Sequence, residues 1–168
     1  MAIVIVGFMG VGKSTIGKLI AEELKLPFVD LDEVIIKNLK LNIPEIFDRY
    51  GENFFRKKEN EALTSYINMN VVIATGGGIV ENPNNLRLLR ENKMNLWVDT
   101  NIDTVYNRIA GDSNRPNANH KSKEELKRLY NSRISRYNEI AYIKVDNDTD
   151  LNSSVQTILN HLKTEDEN

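Results

Sequence analysis

No cysteine occurs anywhere in the 168 residues, which excludes disulfides, thiolate zinc sites and cysteine nucleophiles. Histidine is almost as scarce: His120 and His161 are far apart in sequence, and neither stands at metal-ligand spacing from the other. No apolar run approaches the roughly 20 residues that a membrane span needs. Internal repeats and low-complexity stretches are missing as well. Met1 leads straight into Ala2-Ile3-Val4-Ile5-Val6, without the basic region and longer apolar stretch of a signal peptide. A buried strand is therefore expected there, and with it a cytoplasmic location and no membrane partner. A net charge of −2 provides no basic excess for nucleic acid, although local arginines could still hold a small anion.

What is present is a regular alternation. Short apolar runs at Ile3–Val6, Pro27–Val29, Val71–Ala74, Asn95–Val98 and Tyr142–Val145 are separated by amphipathic segments, the pattern of βα units and a parallel sheet. The first and third runs are continuously apolar, as strands covered on both faces require. Ile16, Leu19, Ile20 and Leu24 share one helical face. Asn82-Pro83 reads as an N-cap followed by proline at the first helical position, and Ser122 with Glu125 forms a capping-box pattern. The polar, turn-rich segment Gly111–His120 interrupts this order. A loop of that length in a compact α/β domain suits a lid or a binding loop, or simply a surface connection. The expected organisation is one domain over 1–163, with an acceptor-binding segment near 31–60, a lid near 110–121 and a frayed tail over 164–168.

Gly7-Phe8-Met9-Gly10-Val11-Gly12-Lys13-Ser14 matches G-x-x-x-x-G-K-[ST]. In this motif the glycines let backbone N–H groups turn inward around a β-phosphate, the lysine charge reaches the β- and γ-phosphates, and the serine hydroxyl ligates Mg²⁺. A strand precedes the motif and a helix follows it, which adds the positive end of the helix. ATP and Mg²⁺ are thus the expected nucleotide and cofactor, with Gly10, Val11, Gly12, Lys13, Ser14 and Thr15 in contact. A regulatory GTPase would carry Asn-Lys-x-Asp; the nearest segment, Asn92-Lys93-Met94-Asn95, lacks the aspartate. Small kinases remain, and these need an acceptor site and a means of excluding water.

Asp30-Leu31-Asp32 follows the second strand at its carboxyl end, the edge where open α/β sheets bind ligands. If this segment is extended, alternation points both carboxylates toward the phosphate loop; one could hold a Mg²⁺-bound water while the other takes a proton from an attacking hydroxyl. A simple helix cap is the plainer reading. Arg56 has Glu59 at i+3, a pair that could fix the guanidinium plane for a substrate carboxylate, or merely decorate a surface helix. Arg133 falls within the stripe Leu126, Tyr130, Ile134 and Tyr137. An arginine facing a core needs a partner, either a buried carboxylate or an anionic ligand. Arg136 sits nearer the polar edge and reads as less constrained. Gly76-Gly77-Gly78 follows the third strand and lets ligand oxygens approach the backbone closely.

Together these blocks resemble the shikimate kinase family over nearly the whole chain. They run from Gly7–Ser14 and Phe28–Asp32 through Gly51–Glu59, Thr75–Gly78 and Arg115-Pro116 to Arg133–Ala141. The resemblance implies a five-stranded parallel sheet with helices on both faces, and transfer of the ATP γ-phosphoryl group to the 3-hydroxyl of shikimate. It further implies Asp32 as base at the acceptor hydroxyls, Arg56 and Arg133 on the carboxylate, and Gly77 against the substrate. Asp30 would support Mg²⁺ through water beside Ser14, Arg115 would reach the transferring phosphoryl group from the lid, and Arg108 would flank adenine. A monomer is the expected state. Two blocks depart from the family pattern: Asn117 stands where leucine is usual, and Ile134-Ser135-Arg136-Tyr137 where x-Pro-Leu-Tyr is usual. Two other readings stay open on the residues alone: a kinase of gluconate or a nucleoside monophosphate, and a catalytically silent nucleotide-binding module.

Overall fold

The computed structural model describes residues 1–110, 121–148 and 150–166, with side chains through residue 163. Arg115, Asn117 and the expected lid, apart from its two ends, lie outside the described residues. Five parallel strands run in the order β2-β3-β1-β4-β5. They are β1 Ile3–Val6, β2 Phe28–Asp30, β3 Val72–Ala74, β4 Asn95–Asp99 and β5 Ile143–Asp146. Each lies within one residue at either end of the run that its apolar pattern predicts.

The three interior strands are buried along their full length, whereas both edge strands are partly exposed. Continuous apolar runs at the centre therefore mark a sheet covered on both faces. Helices supply the cover: α1 Lys13–Leu24, α2 Leu31–Leu39, α3 Ile43–Tyr66, α4 Pro83–Glu91, α5 Ile102–Ile109, α6 Lys123–Ile140 and α7 Leu151–Asp166. None of them is long and apolar enough to cross a membrane, among the described residues. On α1, Ile16 and Ile20 are buried in the core, with Leu19 and Leu24 packed partly against it. α7 continues to Asp166, past the start of the segment expected as tail.

The helix starts follow their capping chemistry. Asn82 caps α4 ahead of Pro83, and Ser122 with Glu125 closes a full capping box on α6, both as the sequence predicts. A second box, Asn42 with Glu45, opens α3. That helix breaks at Gly51, where φ 80° and ψ 172° leave the helical region, so Arg56 lies early in its second half. One polar knot lies inside the core: Asn95, fully buried, donates from Nδ2 to the carbonyls of Leu89, Asn92 and Ile140. It ties the start of β4 to the ends of α4 and α6, satisfying carbonyls that those helix ends would otherwise bury unpaired.

Candidate active site

The phosphate loop turns from β1 into α1 with Gly10 at φ 76° and Gly12 at φ 101°, a region L-residues with side chains seldom occupy. No side chain caps α1 and no acidic residue stands in its first turn. Its first N–H groups and the positive end of its dipole are left to face an anion. Lys13, the first helical residue, is buried and donates from Nζ to the Phe8 carbonyl at 2.7 Å, which holds the ammonium over the loop.

Asp30 ends β2 and performs two tasks. Its Oδ1 accepts from the N–H groups of Asp32 at 3.0 Å and Glu33 at 3.4 Å, capping α2. Its Oδ2 accepts from Ser14 Oγ at 2.5 Å. The extended geometry expected for Asp30-Leu31-Asp32 is corrected here: the strand passes into α2 with no intervening loop, so Asp32 is a first-turn helical residue. Both carboxylates nevertheless line the same cavity. The helix brings Asp32 round through its turn, where strand alternation was expected to do so.

That cavity, about 370 Å³, lies outside the carboxyl ends of the strands, the usual ligand edge of an open α/β sheet. Lys13, Ser14, Asp30 and Asp32 lie in its lining, and Arg56, Gly76, Gly77, Gly78 and Arg133 complete it. Arg56 donates to Glu59 Oε1 at 3.0 Å and to Glu52 Oε1 at 3.1 Å. Glu59 is wholly buried. Its carboxyl is raised to about 7, chiefly by burial; the Arg56 guanidinium opposes that rise and the neighbouring Asp32 charge adds to it.

The glycine turn is shaped by these charges. A Cβ on Gly76 would stand 2.9 Å from Glu59 Oε2 and 3.1 Å from Asp32 Oδ1, and one on Gly78 only 2.2 Å from the Arg56 guanidinium. Tyr137 on α6 donates its hydroxyl to the Gly77 carbonyl and fixes the turn from the other side. Arg133, 3% exposed, donates from Nε to Glu81 Oε1 at 2.6 Å, and its guanidinium lies over the Phe8 ring, 5.8 Å from the centroid. Both partners foreseen for this arginine are thus compatible: it has a carboxylate, and it faces the cavity.

A second cavity lies on the other side of the phosphate loop, lined by Gly10, Gly12, Thr15, Arg108, Ile109, Asn147 and Leu151. Arg108 donates to the Gly10 carbonyl at 3.1 Å. Asn147, just past β5, donates to the Val11 carbonyl at 2.9 Å and so braces the loop. The position of Val11 within the loop places it in the core, fully buried.

The family model described as Shikimate kinase matches residues 9–163. The chain belongs to the shikimate kinase family. It is 58% identical over 168 residues to the shikimate kinase of Macrococcus caseolyticus (strain JCSC5402), covering 100% of both chains. It is 46% identical over 166 residues to that of Staphylococcus aureus (strain JH9), covering 98% of this chain and 95% of the other. The solved shikimate kinase from Acinetobacter baumannii, in complex with shikimate, superposes with a TM-score of 0.93 at 29% identity, over 98% of this chain and 93% of that one. The resemblance and the fold expected from it are thereby confirmed.

Against this family background, three side chains of the site escaped the sequence reading, and a fourth was only partly foreseen. Glu59 was foreseen as the partner that could fix Arg56, with a solvated surface pair as the alternative, but its complete burial was not. Glu81, Asn147 and Phe47, which adds an apolar wall to the first cavity, carried no local motif. Arg136 is corrected: it is not loosely held at a polar edge. It donates to Glu81 Oε2 at 2.9 Å, to the Val80 carbonyl at 3.1 Å and to the Ser132 carbonyl at 2.8 Å.

Proposed function

We propose that the chain transfers the γ-phosphoryl group of ATP to the 3-hydroxyl of shikimate, giving shikimate 3-phosphate and ADP. One observation carries this reading beyond family membership: a single cavity gathers Asp32, Arg56, the glycine turn and Arg133 together with Lys13 and Ser14. Two guanidinium groups suit one carboxylate, and a carboxylate in the same cavity suits an attacking hydroxyl.

In the proposed reaction the acceptor oxygen forms a bond to the γ-phosphorus as the bond from that phosphorus to the β–γ bridging oxygen breaks. ADP departs, and the acceptor proton passes to Asp32. Arg56 and Arg133 orient the acceptor through its carboxylate, and Gly76, Gly77 and Gly78 allow its ring to approach the backbone. Lys13 offsets charge on the β- and γ-phosphates while the loop amides cradle them, so that catalysis is mainly positioning and charge neutralisation. Arg115 adds to that neutralisation from the lid, and Arg108 flanks the adenine.

The Ser14 hydroxyl and the Asp30 carboxylate, 2.5 Å apart, are hard oxygen donors of the kind Mg²⁺ accepts beside substrate phosphates and water. When bound there, the ion supplies charge neutralisation across the β- and γ-phosphates. The chain acts as a monomer in this proposal, without nucleic-acid or membrane partners.

The test is ADP release in a coupled assay with Mg·ATP, offering shikimate, gluconate, AMP and CMP in parallel. Turnover with shikimate alone is expected. Turnover with another acceptor and none with shikimate would overturn the substrate, and silence with all four would overturn the kinase activity.

A further inference from the structure

The turn after the three glycines, Ile79–Glu81, delivers Glu81 to α6, where one carboxylate meets two arginines. Arg133 Nε takes Oε1 at 2.6 Å and Arg136 Nη1 takes Oε2 at 2.9 Å. Arg133 lines the acceptor cavity and keeps a buried Nη1 that has no hydrogen-bond partner among the described residues. Arg136 is not part of that lining. Two further donors are taken by the Val80 and Ser132 carbonyls, so it is held where it is by three acceptors.

A lone Arg133–Glu81 pair would have no net charge, and a carboxylate ligand would approach a guanidinium already neutralised. It would also leave both Glu81 oxygens able to close on Arg133 in the favoured bidentate fashion. With Arg136 present the cluster holds two cations and one anion, and one Glu81 oxygen is occupied elsewhere. We propose that Arg136 is a positioning and affinity residue for the acceptor: by holding Oε2 of Glu81 it keeps one guanidinium edge, and one unbalanced positive charge, of Arg133 available to the acceptor's carboxylate. This rests on the reading that Arg133 binds that carboxylate. It also gives a use to the charge that stands where the family usually has leucine.

Three variants and two ligands separate the possibilities. Arg136→Leu is expected to raise KM for shikimate about tenfold, the scale of one weakened charge-assisted hydrogen bond, with kcat and KM for ATP within about twofold. Binding of shikimate methyl ester, which lacks the anionic charge, should not change. Adding Glu81→Gln to Arg136→Leu should bring KM for shikimate back to within about threefold of the parent, because the competing anion has gone. A merely structural Arg136 would give no such rescue. A double variant no better than Arg136→Leu, or equal losses for the acid and the ester, would overturn the proposal. If the double variant does not fold, the acid-against-ester comparison on Arg136→Leu decides alone. Arg133→Ala guards the underlying reading. Should it weaken acid and ester equally, the carboxylate assignment of Arg133 fails. Should it discriminate between them while Arg136→Leu does not, only the role of Arg136 falls.

Discussion

Gly78→Ala is expected to leave the fold nearly intact and to damage acceptor binding severely. The backbone at Gly78 has φ −90° and ψ 11°, which alanine adopts without strain. The added Cβ, however, would stand 2.2 Å from Arg56 Nη2 and 2.4 Å from Cζ and Nη1. Ordinary carbon contacts lie at about 3.5–4 Å, so the guanidinium must retreat by roughly 1.5 Å. It is the far end of a flexible side chain, and its movement costs folding about 1 kcal/mol or less in rotamer strain. The cost to function is larger. Moving Arg56 withdraws a charge-assisted hydrogen bond worth about 1.5–3 kcal/mol, about 10- to 150-fold in affinity. In a coupled ADP-release assay, KM for shikimate should rise within that range at saturating ATP, with KM for ATP changed less than about twofold. The melting temperature should fall by only a few degrees. A KM for shikimate within twofold of the parent, at an unchanged melting temperature, would refute the role given to Arg56. A large fall in melting temperature with both KM values raised would show that backbone, not side chain, absorbs the clash.

Lys13→Met should lower kcat by at least about a thousandfold, the scale of a lost electrostatic clamp on the transferring group; activity within tenfold would remove the assignment of the phosphate loop. Asp30→Asn should raise the Mg²⁺ concentration for half-maximal velocity about tenfold with little change in melting temperature, because asparagine caps a helix as well as aspartate does. An unchanged Mg²⁺ dependence would separate Asp30 from the metal. Glu59→Gln tests the buried carboxyl through stability. Its folded value of about 7 lies above the ordinary 4.5, so the folded chain binds the extra proton and Glu59 makes stability fall as pH rises from about 4.5 to 7, by up to about 3 kcal/mol. Urea unfolding at pH 5, 6, 7 and 8 should show that slope flattened in the glutamine variant; parallel curves would contradict it.

The strands were legible because a sheet buried on both faces leaves no polar residue to blur Ile3–Val6 or Val72–Ala74. The caps at Asn82 and Ser122 were legible because capping is local chemistry. Asp32 was placed in the right cavity by the wrong geometry: strand alternation was extended through Asp30, but Asp30 is itself the cap that starts α2 at the next residue. Glu59 was legible as a partner of Arg56 but not as a buried one, because i,i+3 spacing reports only its own helix. Its burial comes from the turn at Gly76, whose missing side chain makes room for the carboxylate. Arg136 looked unconstrained for the same reason. The carboxylate that holds it is 55 residues away in sequence, and no period or motif connects the two.

The charges of the acceptor cavity also bear on what the site does for stability. Arg56 and Arg133 are 12% and 3% exposed, and each keeps a carboxylate partner from the protein, Glu59 and Glu81. Buried pairs of this kind seldom add to stability, since desolvation offsets most of the attraction, and apolar residues of similar volume are often as good or better. Their partners therefore make the arginines tolerable in a low-dielectric wall without accounting for their presence. What remains to account for it is a ligand anion that takes the edges the protein carboxylates leave open. On that view, replacing Arg56 and Glu59 together by Met and Leu should raise the melting temperature or leave it unchanged while eliminating shikimate turnover. A double variant that melts much lower than the parent would instead make the pair part of the fold's own support.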